Sequence, residues 1–423
     1  MGGGKNTREN TPMTVRFPKA AHSAALARRF RGLASVALAV FWLSAYGPAW
    51  GDPPPAGNTL CSLPALENIL SRYERIAAGG GWPRVPDGPT LREGDRNDRV
   101  LFLKRRLAAA GDMAETEARG NRFDGPLKEA VLRFQSRHGL EADGLVGTRT
   151  LRELNTPVDD RIRQLTGNME RCRLLPVLED RRHIVVNIAD FTLKLYEEGT
   201  LRLFMPVIVG TTYRQTPVVS GRIASLVLNP EWNVPLSIAT EDMLPRIKKD
   251  PGYLTRLGLR VLRDWKTGEE LDPAAIDWAG VSPEDFPYWL RQDPGPQNAL
   301  GRVKFLFPNP HYLFLHDTPA REQFKRNERL FSSGCIRLAR PLGLAVYLLQ
   351  GTPLGSMEAL TAAIEGGETQ TVEIPSPIAI YIVYLTAWVD PGGTSIFATT
   401  CTNGTAARNA TGEGRSRPAS RNI

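Results

Sequence analysis

HIVVNIADFTLKLYEEGTLRLFMPVIV, residues 183–209, is where the chain changes from a helical to a strand period. Three runs, His183 to Ile188, Thr192 to Tyr196 and Leu201 to Val209, are rich in β-branched and aliphatic residues, with Asp190 and Glu198-Gly199 as turn formers between them. They predict consecutive strands of a mostly antiparallel sheet. Ile223 to Leu228, Val303 to Phe307 and Tyr312 to Leu315 add further strands. Between Ser237 and Asn298 the pattern is instead helical and loop-rich, with Pro, Gly, Trp and Asp scattered through it. An irregular excursion of about 60 residues inside a β domain predicts a capping element or lid.

Upstream the period is 3.6. Val100, Leu103 and Leu107 form one apolar stripe, and Leu127, Ala130, Val131 and Phe134 a second, so two amphipathic helices are predicted. Gly111-Asp112 closes the first and Gly139 the second. The turn-rich Asp143-Gly144-Leu145-Val146-Gly147 then leads into a third short helix ending near Leu154. This places a small all-α domain at residues 86–156, a helical connector at 157–180 and a mostly-β domain at 181–395, an α+β multidomain chain. Residues 52–85 read as a linker or short scaffold with one helical stretch around Leu66, Ile69, Leu70 and Tyr73.

The chain has 423 residues, 42% hydrophobic and 23% charged, which excludes disorder and collagen and suits two or three domains. The net charge of +8 would suggest an anionic partner, but it sits at the two ends: residues 1–50 hold seven bases and one acid, and residues 401–423 hold four bases and one acid. The body is therefore close to neutral, and no nucleic-acid partner is expected. Seven bases precede an apolar run from Leu33 to Tyr46, and Ala49-Trp50-Gly51 supplies a small-x-small cleavage pattern. Residues 1–51 thus read as a signal peptide for export to the periplasm, with retention at the inner membrane if it is not cleaved. Residues 396–423 read as a disordered polar tail.

The chemistry concentrates in LHDTPAREQFKRNERLFSSGCIRL, residues 315–338. His316 ends an apolar strand, Cys335 sits on a Ser-Ser-Gly turn, and Arg337 follows two residues later. A thiol attacks carbonyls as the thiolate, and an imidazole brought beside it takes the proton, so the two together make a nucleophilic pair with an accessible, low-pKa thiol. Gly334, with Ser333, allows the turn N–H groups to face a developing oxyanion. Arg337 alternates back to the face of Cys335, where its guanidinium suits a substrate carboxylate. Taken singly, each of these residues has an ordinary structural role; their combination carries the signal. Arg214 and Trp232 are further candidates for substrate contact. The five histidines show no ligand spacing, so neither metal nor other cofactor is expected. Cys61, Cys172, Cys335 and Cys401 are the only cysteines; Cys61 and Cys172 flank the helical domain, and a disulfide or two buried thiols both fit.

Two resemblances follow. The segments LREGDRNDRVLFLKRRLAAAGD and FDGPLKEAVLRFQSRHGLEADGLVGTRTLRELN, with Phe134-Gln135, Gly139-Leu140, Asp143-Gly144, Gly147 and Thr150, resemble the three-helix peptidoglycan-binding module of bacterial wall enzymes. His316-Asp317-Thr318-Pro319 and Ser332-Ser333-Gly334-Cys335-Ile336-Arg337 resemble the active-site motif of the L,D-transpeptidases with a YkuD-type catalytic domain, in the variant of the YcbB-like enzymes. The second resemblance extends through residues 207–223 and 228–254 and through IAIYIVYLTAWVD. Three features depart from it: a shorter scaffold before the helical module, Phe314 where related enzymes often carry Tyr, and the polar tail.

The resemblance implies a transferase of cell-wall organisation and cell shape, acting on peptidoglycan stem peptides. Cys335 would attack diaminopimelate of the stem tetrapeptide and release D-Ala through a thioester. An amine of a second stem would then take the acyl group, and carbapenem-type β-lactams would inhibit. A carboxypeptidase or endopeptidase, an enzyme attaching a protein to peptidoglycan, and a non-catalytic binding protein are the alternatives. An orienting partner for His316 is expected to be a backbone carbonyl rather than the Asp317 side chain, because neighbours on a strand face opposite ways. The sequence assigns no oligomeric state.

Overall fold

The computed structural model describes residues 61–175, 180–250, 252–390 and 392–398. The expected signal peptide at 1–51, the start of the linker, Cys401 and residues 399–423 of the expected tail lie outside the described residues.

The helical part comprises α1 (Leu63–Ala78), α2 (Asp98–Ala110), α3 (Gly125–Arg137), α4 (Thr148–Leu154) and α5 (Val158–Arg173). Local chemistry sets their ends. The Asp124 carboxylate accepts from Leu127 N at the start of α3, and Gly111, at φ 85°, closes α2 in the left-handed conformation that glycine adopts without steric cost. The predicted stripes of α2 and α3 form one core with Phe123, Val146 and Leu154. Gln135 holds the turn beside them: its Oε1 accepts from Gly144 N, and its Nε2 contacts Asp143 Oδ1 and Leu145 O. These hydrogen bonds tie Gln135 of α3 to the Asp143-Gly144 turn that leads into α4.

The stretch read as linker is structural. Ser62 caps α1, which packs on α5, and a disulfide joins Cys61 to Cys172 with Cα atoms 5.8 Å apart. Leu66, Ile69, Tyr73, Leu165 and Met169 share a core with Ala379, Tyr381 and Val383 of the β domain, and Asn168 bonds the backbone at Thr386 and Ala387. The helices therefore dock on the sheet through α1 and α5. The disulfide bridges a sequence separation of 111 residues. Restricting the unfolded chain over so long a loop is worth roughly 2–5 kcal/mol. Cys61→Ala should lower the thermal midpoint by several degrees, and dithiothreitol should do the same to the wild type but not to the variant.

The β domain contains β1 (Arg182–Asn187), β2 (Thr192–Glu197), β3 (Thr200–Gly210), β4 (Val219–Leu228), β5 (Trp232–Asn233), α6 (Leu244–Lys249), α7 (Tyr253–Arg256), β6 (Leu259–Leu262), β7 (Glu270–Leu271), β8 (Trp289–Gln292), β9 (Val303–Leu306), β10 (Leu315–His316), β11 (Leu330–Ser332), β12 (Ile336–Leu338), α8 (Pro341–Leu348), α9 (Met357–Glu365), β13 (Gln370–Val383), β14 (Ala387–Val389) and β15 (Ser395–Phe397). Glu198 and Gly199, both at positive φ, make the two-residue turn of the β2–β3 hairpin. The pairings close into a ring, β1-β2-β3-β12-β10-β9-β4-β13 and back to β1, antiparallel except for β1–β13 and β10–β12. Closure leaves few exposed edges. One face of the ring carries the main core, including Val186, Leu193, Val207, Phe305, Leu315 and Ile336, with Leu344 and Leu348 of α8 and Leu360 of α9.

Three expectations are corrected. Tyr312 sits at φ 52°, so Tyr312 to Phe314 is a turn leading into a short β10 rather than strand. The insertion is not merely helical and loop-rich: β5-β8-β6-β7 form a second sheet, and Val234, Leu244, Ile247, Leu254, Val261, Trp278 and Leu290 give it a core of its own. Its strands are short and join residues far apart in sequence, which hides them from a periodicity reading. Residues 396–398, expected in the tail, belong to the fold: β15 pairs with β14, and Phe397 is fully buried, stacked on Tyr73 and His138.

Candidate active site

Strand register assembles the site. On the core face Leu315 lies between Phe305 and Ile336; one residue on, His316 lies between Lys304 of β9 and Arg337 of β12. Alternation therefore places Lys304, His316 and Arg337 in one row on the opposite face, with Phe314 and Cys335 beside them. His316 is buried, and its Nδ1 is 2.6 Å from the Asp317 carbonyl oxygen. A carbonyl only accepts, so Nδ1 carries the proton and Nε2 is left as the base. The orienting group is thus the carbonyl of Asp317, as a strand geometry requires. The Asp317 carboxylate itself is buried and taken by Arg302 and Arg321, each at 3.0 Å, which fixes the backbone behind the imidazole.

Cys335 follows a turn held by two hydroxyls. Ser332 Oγ accepts from Gly334 N at 3.1 Å and donates to Cys335 O at 2.5 Å. Thr216 Oγ1 accepts from Gly210 N and donates to Gly334 O at 2.7 Å. Gly334 has φ 117°, a conformation L side chains rarely adopt, so the turn needs glycine for its backbone rather than for space. The expected oxyanion role of Gly334 is corrected, because its N–H is already bonded to Ser332. Ser333 is exposed, and its hydroxyl accepts from Arg214 at 3.1 Å.

The expected low-pKa thiol is also corrected. Burial pushes the Cys335 thiol up, only partly opposed by a backbone hydrogen bond from Phe314 and by the charges of Lys304 and Arg337. Burial, helped by the Arg337 and Lys304 cations, holds His316 down at about 3, although the carbonyls of Asp317 and Leu300 favour its charged form. Near neutral pH the pair therefore rests as thiol and neutral imidazole, without a preformed ion pair.

Arg337 is half-buried; it donates to Gln323 Oε1 at 3.0 Å, and its Nε has no partner. Its charge is not matched by a carboxylate among the described ion pairs. Arg214 is different. Its guanidinium is held by Glu241 and Asp242 of the π-helical turn that opens the insertion, Ile238–Met243, so it ties the insertion to the Cys335 turn rather than waiting for a substrate carboxylate. Arg214 thus stands beside the Cys335 turn through Ser333, with its charge already matched by Glu241 and Asp242. Trp232, on β5, packs against the insertion core. Ser332 lies in the quoted motif, whereas Lys304, Thr216 and Gln323 are not among the residues the sequence singled out. The apolar alternation of residues 303–307 turns Lys304 outward, but only strand pairing sets it beside His316.

Two family models match the chain. One, described as the L,D-transpeptidase catalytic domain (YkuD), covers residues 181–355; the other, described as "Putative peptidoglycan binding domain", covers residues 96–154. The chain is 37% identical over 229 residues to a "Putative L,D-transpeptidase" of Haemophilus influenzae, covering 54% of this chain and 45% of that protein. It is 40% identical over 80 residues to N-acetylmuramoyl-L-alanine amidase CwlM of Mycobacterium tuberculosis, covering 17% of this chain and 20% of that protein. The chain thus spans less than half the length of the curated relatives it matches. Among solved structures, an L,D-transpeptidase from Stackebrandtia nassauensis is similar at 13% identity and a TM-score of 0.26, covering 71% of this chain and 96% of that one.

Proposed function

We propose, for a chain whose residues 181–355 belong to the L,D-transpeptidase catalytic-domain family, that it cross-links peptidoglycan through a thioester on Cys335. The observation that carries this reading is the β10–β12 pairing, which sets His316, its Nδ1 on the Asp317 carbonyl, opposite Arg337, two residues after Cys335. Cys335 Sγ attacks the carbonyl of diaminopimelate in the stem tetrapeptide while its proton passes to His316 Nε2. Because the N–H of Gly334 is bonded to Ser332, the N–H of Cys335 is the turn donor assigned to the oxyanion. Collapse breaks the peptide bond, and His316 returns the proton to the departing D-Ala amine. The side-chain amine of a second stem then attacks the thioester, its proton moves through His316 to sulfur, and a link between third residues is formed.

The neutral resting pair supports this sequence, since the thiol and the imidazole start in the protonation states the first step needs. Arg337 is assigned a stem carboxylate, and the helical module at residues 96–154 is assigned to wall polymer. The Cys61–Cys172 disulfide supports export to an oxidising compartment, the periplasm. Incubation with purified muropeptides followed by mass spectrometry tests the reading. Dimers joined through diaminopimelate are expected; trimmed monomers alone would make the enzyme a carboxypeptidase, and unchanged substrate would sink the proposal. A carbapenem should add once, on the peptide carrying Cys335.

Arg337→Lys keeps the charge but loses the planar fork. Turnover on muropeptides should fall by roughly 1.5–3 kcal/mol, about 10- to 150-fold, the worth of a charge-assisted hydrogen bond. The rate of Cys335 alkylation by uncharged iodoacetamide should stay close to wild type. Undiminished cross-linking would assign the carboxylate to another group.

A further inference from the structure

Lys304 is a half-buried cation that the mechanism above does not use. It faces His316 directly across the β9–β10 pairing, and its Nζ lies 4.1 Å from the centre of the Phe314 ring. Phe314 in turn stands beside Cys335, whose neighbour Ile336 donates its N–H to the Phe314 carbonyl. The groups around Lys304 on this face are Val227 of β4, His316 and Phe314 of the β10 segment, and Cys335 and Arg337 at β12. The Asp317 carboxylate is taken by Arg302 and Arg321, while Glu241 and Asp242 are held by Arg214. The row therefore holds two cations, a neutral imidazole and a thiol. A half-buried ammonium loses part of its hydration, the aromatic ring beneath it offsets part of that loss, and an anion forming nearby is drawn to the remaining charge.

We propose that Lys304 is a positioning residue whose ammonium stabilises the anionic form of Cys335, making thiolate formation feasible in a buried site. This rests on the reading of Cys335 as the nucleophile. When the S–H bond breaks, the proton goes to His316 Nε2, the electron pair stays on sulfur, and Lys304 keeps its proton throughout. Two opposing effects agree with this arrangement: burial lowers the Lys304 pKa, and the Cys335 thiolate raises it. Arg337 supplies a second cation, but it also bonds Gln323, so the two charges have separate duties.

The test is the pH dependence of iodoacetamide alkylation at Cys335, followed by mass spectrometry on the full chain with its disulfide intact, which needs no substrate. Lys304→Met, which keeps the length of the stem, should raise the midpoint by about one pH unit, and Lys304→Arg should hold it near the wild-type value. Lys304→Gln provides the same comparison if the methionine variant does not fold. An unchanged midpoint in a folded neutral variant overturns the proposal, as does an equal shift in Lys304→Arg. Loss of the fold in both neutral variants makes the charge a structural requirement and overturns it as well. Wild-type protein that makes no product from muropeptides would defeat the functional reading alone, leaving the thiol titration to decide the role of Lys304.

Discussion

Cys335→Ser should reduce muropeptide cross-linking by about ten-thousand-fold and abolish the carbapenem adduct, with little change in thermal midpoint. A hydroxyl in place of the thiol has a far higher pKa and must be deprotonated in a site where burial already raises even the thiol. The substitution is nearly isosteric, and the bonds that hold the turn come from Ser332 and Thr216, not from the cysteine side chain. Fold and reactivity are thus separable here. The measurement is turnover by mass spectrometry beside a melting curve. Retention of more than about a hundredth of wild-type turnover would move the nucleophile elsewhere.

His316→Gln should cost about a hundred- to ten-thousand-fold in turnover, because glutamine cannot take the thiol proton. It should also change the acid stability of the protein. The folded chain holds His316 near 3, whereas the unfolded side chain titrates at its ordinary value of 6.5. Below pH 6.5 the unfolded state therefore binds a proton that the folded state refuses, and stability falls as the pH drops from 6.5 toward 3. The loss from this residue amounts to roughly 5 kcal/mol at the acid end. His138, buried beside Arg137, Arg161 and Arg106 and also held well below 6.5, acts in the same direction. Chemical denaturation at pH 7 and pH 4.5 should show a smaller drop for His316→Gln than for wild type. An equal drop would mean that His316 is protonated in the fold.

How much of the molecule was legible in the sequence depended on the range of the interactions involved. The stripes Val100-Leu103-Leu107 and Leu127-Val131-Phe134 became buried helix faces because helical periodicity and capping act within a few residues. The hairpin at Glu198-Gly199 was legible for the same reason: the turn chemistry sits in adjacent residues. The site motif placed Cys335, His316 and Arg337 together because they lie within one short stretch that crosses a single strand pairing.

Long-range pairing and desolvation lay beyond such a reading. Cys61 and Cys172 could pair or stay apart until α1 packed on α5, 111 residues away in sequence. The short strands of the insertion carry no pattern of their own and exist through partners such as Val261 opposite Leu290. Phe397 looked like the start of a polar tail, yet it completes a core built by Tyr73 and His138 from the helical part. Strand alternation put a thiol and a guanidinium on one face, and the resemblance of the motif implied an imidazole beside them. Only the tertiary structure decided their protonation states, because burial and the cross-strand cation Lys304 act through space on groups that the linear order does not connect.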